Sequence, residues 1–379
     1  MKPTSAARGS FQGHPELPAE QITLINEHSD FMNLVVKAGS AGYRGKVPRI
    51  GGTPTQHYSP ALHESHRWGI VLAGGDGVRL RELTRWVYGD DRPKQFCPLL
   101  GHRTLFEATR HRAEQNLPAD HIIFALTRAH EVYYRDLLDG QSSKRIVQPY
   151  NRGTAPAILY ALMVLAQIDP EASVSILPSD HYYAPEAAFK SALEDAFESA
   201  DQHSDSVVLL GAPPKGPETE YGWIQLGPAV DGRFGLFQVD SFLEKPPLPM
   251  AQKLYANGSL WNTFVMVGHV SAFLDIASAT VPGLVEQLAP HVAESLTGAE
   301  IQVPDSLYAQ LAPVDFSTRV LTPAMDRLLT LRLEHIDWCD LGDPYRVLVT
   351  LLEKDGALPQ WVKLWPQSED EPHVAVAGA

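Results

Sequence analysis

The sequence predicts an α/β protein built on a doubly wound, mostly parallel sheet. Three observations carry the prediction: short apolar runs typical of buried strands, helical patterns between those runs, and a glycine-rich turn after the first run. Strands that alternate with helices of this length favour a parallel sheet covered on both faces. Such a sheet binds ligands at the carboxyl ends of its strands, so the residues that follow each strand are the first candidates for a site.

Five apolar runs mark the predicted strands. The first, residues 68–73, ends at Gly74 and Gly75, and the others lie at residues 122–126, 174–177, 207–210 and 264–267. Helical patterns lie between several of them, at residues 105–115, 155–167 and 185–200. No internal repeat is present in the sequence, so the pattern predicts one α/β domain and not an array of repeats.

The composition changes twice along the 379 residues. Residues 1–66 are rich in Pro, Gly, Ser and His, with breakers such as Gly51-Gly52. We interpret them as a flexible or partly ordered N-terminal extension, or as the product of a start codon placed too far upstream. Residues 67–352 are predicted to form the folded domain, and residues 353–379 a short peripheral tail.

Charge and cysteine content exclude several classes of protein. The formal net charge is −14 without a long basic run, which disfavours binding to nucleic acid. Cys97 and Cys339 are too few for a disulfide framework or a zinc cluster, which fits a reducing cytoplasm. No apolar run reaches the roughly 20 residues that span a bilayer, so no membrane partner is expected. Homo-oligomer formation stays open.

The glycine-rich turn is the first candidate for ligand binding. Residues 72–80 read L-A-G-G-D-G-V-R-L and follow the first strand directly. Glycines let the backbone come close to a ligand, and consecutive backbone N–H groups in such a turn form an anion-binding concavity. Arg79 adds a charge that can contact phosphate oxygens at two points. Taken alone, the turn is equally compatible with a tight connection that binds no ligand.

A second motif, residues 92–96, reads R-P-K-Q-F and carries Lys94. A lysine is a mobile point charge suited to neutralising a triphosphate, although a lone lysine is usually a solvated surface residue. Together with T-L-F-E-A-T at residues 104–109, the two motifs resemble the signature of nucleotide-sugar pyrophosphorylases. The P-K-Q-F version is most similar to the mannose-1-phosphate guanylyltransferases. The resemblance covers residues 67–350 and implies a Rossmann-like, GT-A-like nucleotidyltransferase domain.

The resemblance assigns one half of the domain to the nucleotide. It implies that Arg79 and Lys94 are catalytic, and that replacing Lys94 with alanine lowers turnover far more than stability. The segment Q-P-Y-N-R-G-T-A-P-A at residues 148–157 would read the base, although by itself it is a loop before a helix N-terminus. The implied nucleotide-binding residues are Leu72, Ala73, Gly74, Gly75, Gly77, Gln148, Gly153 and Thr154.

Two aspartates are implied as magnesium ligands. Asp180 follows the run at residues 174–177, and Asp340 lies in W-C-D-L-G-D, which resembles the family's W-x-D-x-G. Oxygen ligands with retained waters suit Mg²⁺ bound to a triphosphate. Two other interpretations of Asp180 stay open. It could cap a helix, or form a hydrolase triad with Ser179 and His181, which the lack of a nucleophile elbow disfavours.

The other half of the domain is implied to bind the sugar 1-phosphate. Gly222 lies in a segment that resembles P-E-T-x-Y-G-Y-I, and would let the backbone approach the sugar. The segment F-L-E-K-P at residues 242–246 implies that Glu244 accepts hydrogen bonds from sugar hydroxyls and that Lys245 pairs with the phosphate. Without the resemblance, these two residues are a solvated surface pair. Asn262 follows Trp261, as in the family's W-N-S-G, so the resemblance implies that Asn262 is a further candidate to bind a sugar hydroxyl.

Three departures from the family pattern concern the lid and the sugar. The loop at residues 86–91 is longer than usual and could reshape the lid over the triphosphate. Thr263-Phe264 stands where the family has a small residue and glycine, and Val320 stands in place of an acid in the family's I-D-Y-x-V-M-E. The last two departures leave nucleotidyl transfer intact and put the identity of the sugar in doubt.

We therefore expect a nucleotidyltransferase that makes GDP-mannose and pyrophosphate from GTP and mannose 1-phosphate, with Mg²⁺ as cofactor. Its partners are then small molecules, a nucleoside triphosphate and a sugar 1-phosphate. Another pair of substrates is the nearest alternative. A non-catalytic regulatory subunit that binds nucleotide sugars is a different class, disfavoured because the charged residues are all present.

Overall fold

The computed structural model describes residues 66–292 and 298–355. The strands in these residues form one ten-stranded sheet and one two-stranded sheet. The strands, in chain order, are β1 (Arg67–Leu72), β2 (Ile122–Thr127), β3 (Lys144–Gln148), β4 (Ser173–Pro178), β5 (Tyr182–Ala184), β6 (Val207–Ala212), β7 (Gly222–Ala229), β8 (Leu236–Glu244), β9 (Leu260–His269), β10 (Glu300–Gln302), β11 (Leu328–Arg332) and β12 (Asp337–Cys339). Strands β5 and β12 pair to form the small sheet, and the others form the large one.

Helices connect most of these strands. They are α1 (Arg81–Tyr88), α2 (Leu105–Glu114), α3 (Glu131–Leu138), α4 (Thr154–Ile168), α5 (Glu186–Gln202), α6 (Leu248–Ala256), α7 (Val270–Thr280), α8 (Pro282–Leu288), α9 (Asp305–Gln310) and α10 (Pro344–Asp355). Two short 3₁₀ turns carry predicted site residues, Val78–Leu80 and Lys94–Phe96. Among the described residues, no helix is long and apolar enough to cross a bilayer.

Both faces of the large sheet are covered, as the apolar runs predict. Ile70 and Val71 are neighbours in β1 and are both fully buried, one in each of two separate cores. Helix α4 contributes Leu162 to the first core, and α5 contributes Phe197 to the second. A strand buried on both faces has no polar side to alternate with its apolar one, which explains the continuous apolar run.

The prediction of a mostly parallel sheet is confirmed for the first five strands and is wrong for most of the other half, where, among the described strands, only β6 and β11 pair in parallel. The strand order is β10-β3-β2-β1-β4-β9-β6-β11-β8-β7, and the first five strands pair in parallel. Strand β9 is antiparallel to β4 and β6, and β8 is antiparallel to β11 and β7. A short connection joins β7 to β8, which only an antiparallel pair permits. An apolar run carries no information about strand direction, so the sequence could not reveal this.

The predicted elements are confirmed, with small shifts of their ends. The predicted apolar runs lie in strands, except that Ala73 follows the end of β1, and residues 264–267 form the inner part of the longer β9. Helix α10 continues to Asp355, so it crosses the predicted boundary between residues 352 and 353, and the division into domain and tail stays a prediction. The predictions for residues 1–65 and 356–379 fall outside the described residues.

Candidate active site

A cleft of about 380 Å³ lies at the carboxyl ends of β1, β3 and β4 and extends to the start of β7 and β9. It brings together predicted residues from both halves of the domain: Leu72, Gly74, Gly75, Arg79, Gln148, Gly153, Thr154, Asp180, Gly222, Glu244, Lys245, Asn262 and Asp340. A second cavity, of about 260 Å³, is lined by Gly77 and Lys94 and shares Arg79 and Asp180 with the first. Ala73 is buried beneath the glycine turn.

The glycine turn holds its shape because two of its positions exclude a side chain. Gly77 has a φ of 59°, in the left-handed region that favours glycine, and a Cβ on Gly74 would overlap the amide of Gln148. Gly75 has open space on its Cβ side, as a backbone that receives a ligand requires. Gln95 holds the turn from behind, since its Nε2 donates to the carbonyls of Ala73 (3.1 Å) and Gly75 (2.7 Å). Our sequence reasoning missed this role, although Gln95 stands in the R-P-K-Q-F motif.

Lys94 is buried, which corrects the prediction that it is a mobile point charge. Only 7% of the residue is exposed, and its Nζ donates to the carbonyls of Asp340 (2.6 Å) and Leu341 (3.0 Å). The same nitrogen lies 3.3 Å from Oδ2 of Asp180. The Lys94 side chain therefore contacts both predicted metal ligands, the backbone carbonyl of Asp340 and the carboxylate of Asp180. The two carbonyls lie 246 and 247 positions along the chain from Lys94, so no local pattern could predict its burial.

Asp340 is a buried carboxylate held in one orientation. Its Oδ1 accepts hydrogen bonds from Tyr221 (3.1 Å), Arg346 (2.9 Å) and the backbone N–H of Gly342 (2.8 Å). Burial raises the pKa of Asp340, but the charges of Arg346 and Lys94 outweigh burial and hold the pKa below its ordinary value of 3.8. Asp340 is therefore ionised at neutral pH. Arg346 was missed in the sequence, where an arginine six residues after Asp340 carries no signal.

Arg79 is an exposed cation of the site, in contrast to the buried Lys94. Its side chain is 53% exposed, and Nη1 donates to Oε2 of Glu220, another residue that lines the cleft, at 3.2 Å. Its Nη2 lies 3.9 Å from Oδ2 of Asp340, the oxygen of that carboxylate opposite the one its donors occupy. Exposed ion pairs of this kind are weak, so an anionic ligand can take Arg79 over from Glu220 at little cost.

The surroundings of Asp180 argue against a hydrolase triad. Ser179 donates its hydroxyl to the carbonyl of Leu72 at 2.6 Å, and Trp338 donates to Nδ1 of His181 at 3.3 Å. Nε2 of that ring lies 3.6 Å from Asp180. Burial lowers the pKa of His181 below its ordinary value of 6.5, against the opposing charge of Asp180. The hydroxyl and the imidazole are thus each held by other partners, and no nucleophile–base pair forms.

The base-side residues lie at the end of β3 and the start of α4. Gly153 has a φ of 81°, and a Cβ there would overlap the carbonyl of Val314. Oγ1 of Thr154 accepts from the backbone N–H of Phe316 at 2.8 Å, which fixes the helix N-terminus against the segment at residues 314–316. Gln148 is 4% exposed, and both ends of its amide are hydrogen bonded within the protein.

The sugar-side residues meet where β7, β8 and β9 begin or end. A Cβ on Gly222 would lie 2.8 Å from Oε2 of Glu244, so the glycine makes room for that carboxylate. Burial and the charge of Asp315 raise the pKa of Glu244 to about 7, although Lys245 opposes the rise. Asn262 uses its Oδ1 to accept from the backbone N–H of Phe264 at 3.1 Å. Its amide nitrogen has no hydrogen-bond partner among the described residues and can donate to a ligand.

Comparison with known proteins decides the family. A family model described as nucleotidyl transferase matches residues 68–348. The chain belongs to the nucleotidyl transferase family. The match spans the large sheet except for Arg67, and it includes every residue that lines the cleft.

Among curated relatives of this nucleotidyl transferase are two bacterial proteins. The xanthan biosynthesis protein XanB of Xanthomonas campestris is 34% identical over 210 residues, which are 54% of this chain and 43% of the relative. The mannose-1-phosphate guanylyltransferase of Escherichia coli is 28% identical over 295 residues, 76% of this chain and 60% of the relative. The chain thus spans less than half the length of the first of them and less than two thirds of the second.

A solved structure supports the same fold. A protein of Thermus thermophilus, described as a mannose-1-phosphate geranyltransferase, superposes with a TM-score of 0.66 at 30% identity. The superposition covers 76% of this chain and 80% of that one. A Helicobacter pylori protein described as a mannose-6-phosphate isomerase has a TM-score of 0.58 at 20% identity over 72% of this chain and 99% of that one, and shares the fold.

Two of the three departures from the family pattern now have a structural description. Phe264 lines the cleft with a φ of 62°, the conformation in which glycine is unstrained. Val320 is fully buried in the first core, within a π-helical turn at Ser317–Leu321, and does not line the cleft. A valine packs well at this buried position, whereas a carboxylate there would lose its hydration and cost folding free energy. The expected effect of residues 86–91 on a lid stays a prediction.

Proposed function

We propose that the chain is an enzyme that joins a nucleoside triphosphate to a sugar 1-phosphate and releases pyrophosphate. One observation carries the proposal: two cations and two carboxylates meet where a glycine turn and a sugar-side pocket share one cleft. The cations are Arg79 and Lys94, and the carboxylates are Asp180 and Asp340. The cations can bind a polyphosphate, and the carboxylates can bind its metal counter-ion. The glycine turn supplies backbone N–H groups that can also bind phosphate oxygens.

The proposed step is a direct displacement. A phosphate oxygen of the sugar 1-phosphate attacks the α-phosphorus, the bond to the bridging oxygen of the β-phosphate breaks, and pyrophosphate leaves with the electron pair. The attacking phosphate is already ionised at neutral pH, so no general base is needed. Catalysis then consists of positioning the two substrates and stabilising the charge that moves onto the leaving group.

Each charged residue has a role in this proposal. Arg79 exchanges Glu220 for the triphosphate, because its present ion pair is exposed and weak. Lys94 is buried and fixed, so it acts as a preorganised charge beside the leaving group and not as a mobile one. Lys245 holds the attacking phosphate, and Glu244 accepts from sugar hydroxyls.

Mg²⁺ fits the carboxylates of this site together with the phosphates of a substrate. In the described residues no group of three or more His, Cys, Asp or Glu could hold a metal unaided. Asp180 and Asp340 supply two hard oxygen donors, and Mg²⁺ in such sites is bound by one or two carboxylates and substrate phosphates. Asp340 turns Oδ2 toward the cleft because Oδ1 is filled by three donors. When bound, the ion would draw charge from the reacting phosphates.

The proposed substrates are GTP and mannose 1-phosphate. The name of the Escherichia coli relative and the P-K-Q-F motif support this pair. Phe264 supports a second candidate, another sugar 1-phosphate, because a ring occupies the sugar side where the family has glycine. The cytoplasmic location stays a proposal that rests on the low cysteine count of the sequence.

Pyrophosphate release tests the proposal. The assay combines GTP, ATP, UTP and dTTP with mannose 1-phosphate and glucose 1-phosphate, in the presence of Mg²⁺ and after its removal with a chelator. Release with GTP and mannose 1-phosphate alone supports the full proposal, and release with another pair keeps the reaction and changes the substrates. No release from folded protein that still binds a nucleotide sugar would instead support the non-catalytic binding subunit.

A further inference from the structure

A chain of four hydrogen-bonded groups runs beneath the cleft and ends at Gly74. Tyr308 donates its hydroxyl to Oε1 of Gln148 (2.9 Å), and Nε2 of Gln148 donates to Oγ1 of Thr127 (3.0 Å). Thr127 in turn donates to the carbonyl of Gly74 at 2.9 Å. The three side-chain residues are each 4% exposed or less, so water does not replace these partners.

The direction of this chain is forced from its Gly74 end. A backbone carbonyl only accepts, so the single O–H of Thr127 is used there and the Thr127 oxygen must accept from the next group. The donor it meets is the NH₂ group of Gln148, which leaves Oε1 facing Tyr308. Burial raises the pKa of Tyr308, so its hydroxyl keeps the proton it donates. The amide of Gln148 is therefore held in one of its two orientations by partners at both ends.

We propose that Tyr308 is a positioning residue that makes the cleft prefer a base carrying an oxo group over one carrying an amino group. The inference rests on the proposed function. Gln148 lines the cleft and has one N–H that no protein acceptor takes among the described residues. The ribose and triphosphate hold the base in one position. There, an oxo group of the base accepts a hydrogen bond from the free N–H of Gln148, whereas an amino group would place a second donor against that N–H. Turning the amide to suit the amino group would set Oε1 of Gln148 against the Thr127 oxygen, whose only proton is used on Gly74, and would leave the Tyr308 O–H without the acceptor it now has.

Tyr308→Phe removes the hydroxyl and keeps the ring. The ring packs edge-on against Tyr150 (centroids 6.1 Å apart), and the Tyr308 carbonyl accepts from Nε of Arg152, so these contacts survive in the variant. Tyr150→Phe is the matched control, because it removes a neighbouring hydroxyl without touching Gln148. Thr127→Val loosens the amide from its other end and provides a second, independent variant.

The experiment compares ITP with ATP, whose bases differ at the 6-position, oxo against amino, and in the proton at N1. The ratio of their kcat/KM values in pyrophosphate release is measured with one sugar 1-phosphate, and melting temperatures are measured alongside. We expect the wild type to favour ITP. The ratio should fall about fivefold in Tyr308→Phe, as for the loss of one ordinary hydrogen bond, and should fall in Thr127→Val but not in Tyr150→Phe. The KM for the sugar 1-phosphate should stay unchanged.

Two results would overturn the inference: a wild type that favours ATP, or an unchanged ratio in a folded Tyr308→Phe variant. Failure of the proposed function is distinguishable, because it abolishes turnover with every nucleotide. In that case calorimetry measures the Kd values of IDP and ADP for the same proteins. The ratio of these Kd values then takes the place of the ratio of kcat/KM values. The same fivefold change is then expected in the Kd ratio, and an unchanged ratio refutes the role of Tyr308.

Discussion

Replacing Glu244 with glutamine is expected to stabilise the protein above neutral pH while weakening its binding of a sugar 1-phosphate. Glu244 is partly buried beside Gly222, and burial together with Asp315 raises its pKa from the ordinary 4.5 to about 7. The ionised side chain therefore costs folding free energy that the uncharged glutamine avoids. We propose that sugar hydroxyls donate hydrogen bonds to this same ionised carboxylate. The substitution should therefore raise the stability of the protein and lower its affinity for the sugar 1-phosphate.

The magnitude follows from the pKa change. A rise from 4.5 to about 7 corresponds to about 3 kcal/mol at 25 °C. Because the folded state holds the proton more tightly than the unfolded chain, this contribution to stability is fully present below about pH 4.5 and is lost as the pH rises through about 7. The free energy of unfolding of Glu244→Gln should thus exceed that of the wild type by less than about 1 kcal/mol at pH 5 and by about 3 kcal/mol at pH 8.

Urea unfolding at several pH values between 5 and 8 measures the difference directly. Asp315→Asn is the matched variant, since it removes the second cause of the raised pKa and leaves Glu244 in place. Its stability should show a shallower loss with pH than that of the wild type. If the wild type and Glu244→Gln lose stability in parallel across this range, Glu244 has an ordinary pKa and the reasoning from burial fails.

Three further predictions concern the network and the backbone. Lys94→Met should lower the free energy of unfolding by about 2–4 kcal/mol as well as pyrophosphate release, because two carbonyls and Asp180 lose their donor; unchanged urea unfolding would contradict the burial of Lys94. Arg346→Met should cost about 3–5 kcal/mol, since it leaves the carboxylate of Asp340 buried and underpaired, and a cost below about 1 kcal/mol in the same assay would refute that. Phe264→Gly should be about 1 kcal/mol more stable than Phe264→Ala, because both remove the ring and only alanine keeps the strain at a φ of 62°; equal thermal stability would mean that the strain is absent.

Much of the fold and of the site could be predicted from the sequence, because those features depend on residues close together in the chain. The apolar run before Gly74 predicts a strand followed by a ligand-binding turn, and the structure has β1 and the cleft in those places. Helices α2, α4 and α5 follow from local periodicity in the same way. The order of short motifs, each weak alone, indicated the family that the comparison then showed.

Other features were decided only by tertiary structure. The direction of β9 depends on which strands flank it, and an apolar run is the same in either direction. Lys94 reads as an ordinary surface lysine until the fold brings it to carbonyls 246 and 247 positions away, which bury and fix its charge. The amide of Gln148 takes its orientation from Thr127 and Tyr308, which are 21 and 160 positions away. Local patterns report which elements form, whereas charge, proton affinity and donor direction depend on neighbours that only the folded chain brings into contact.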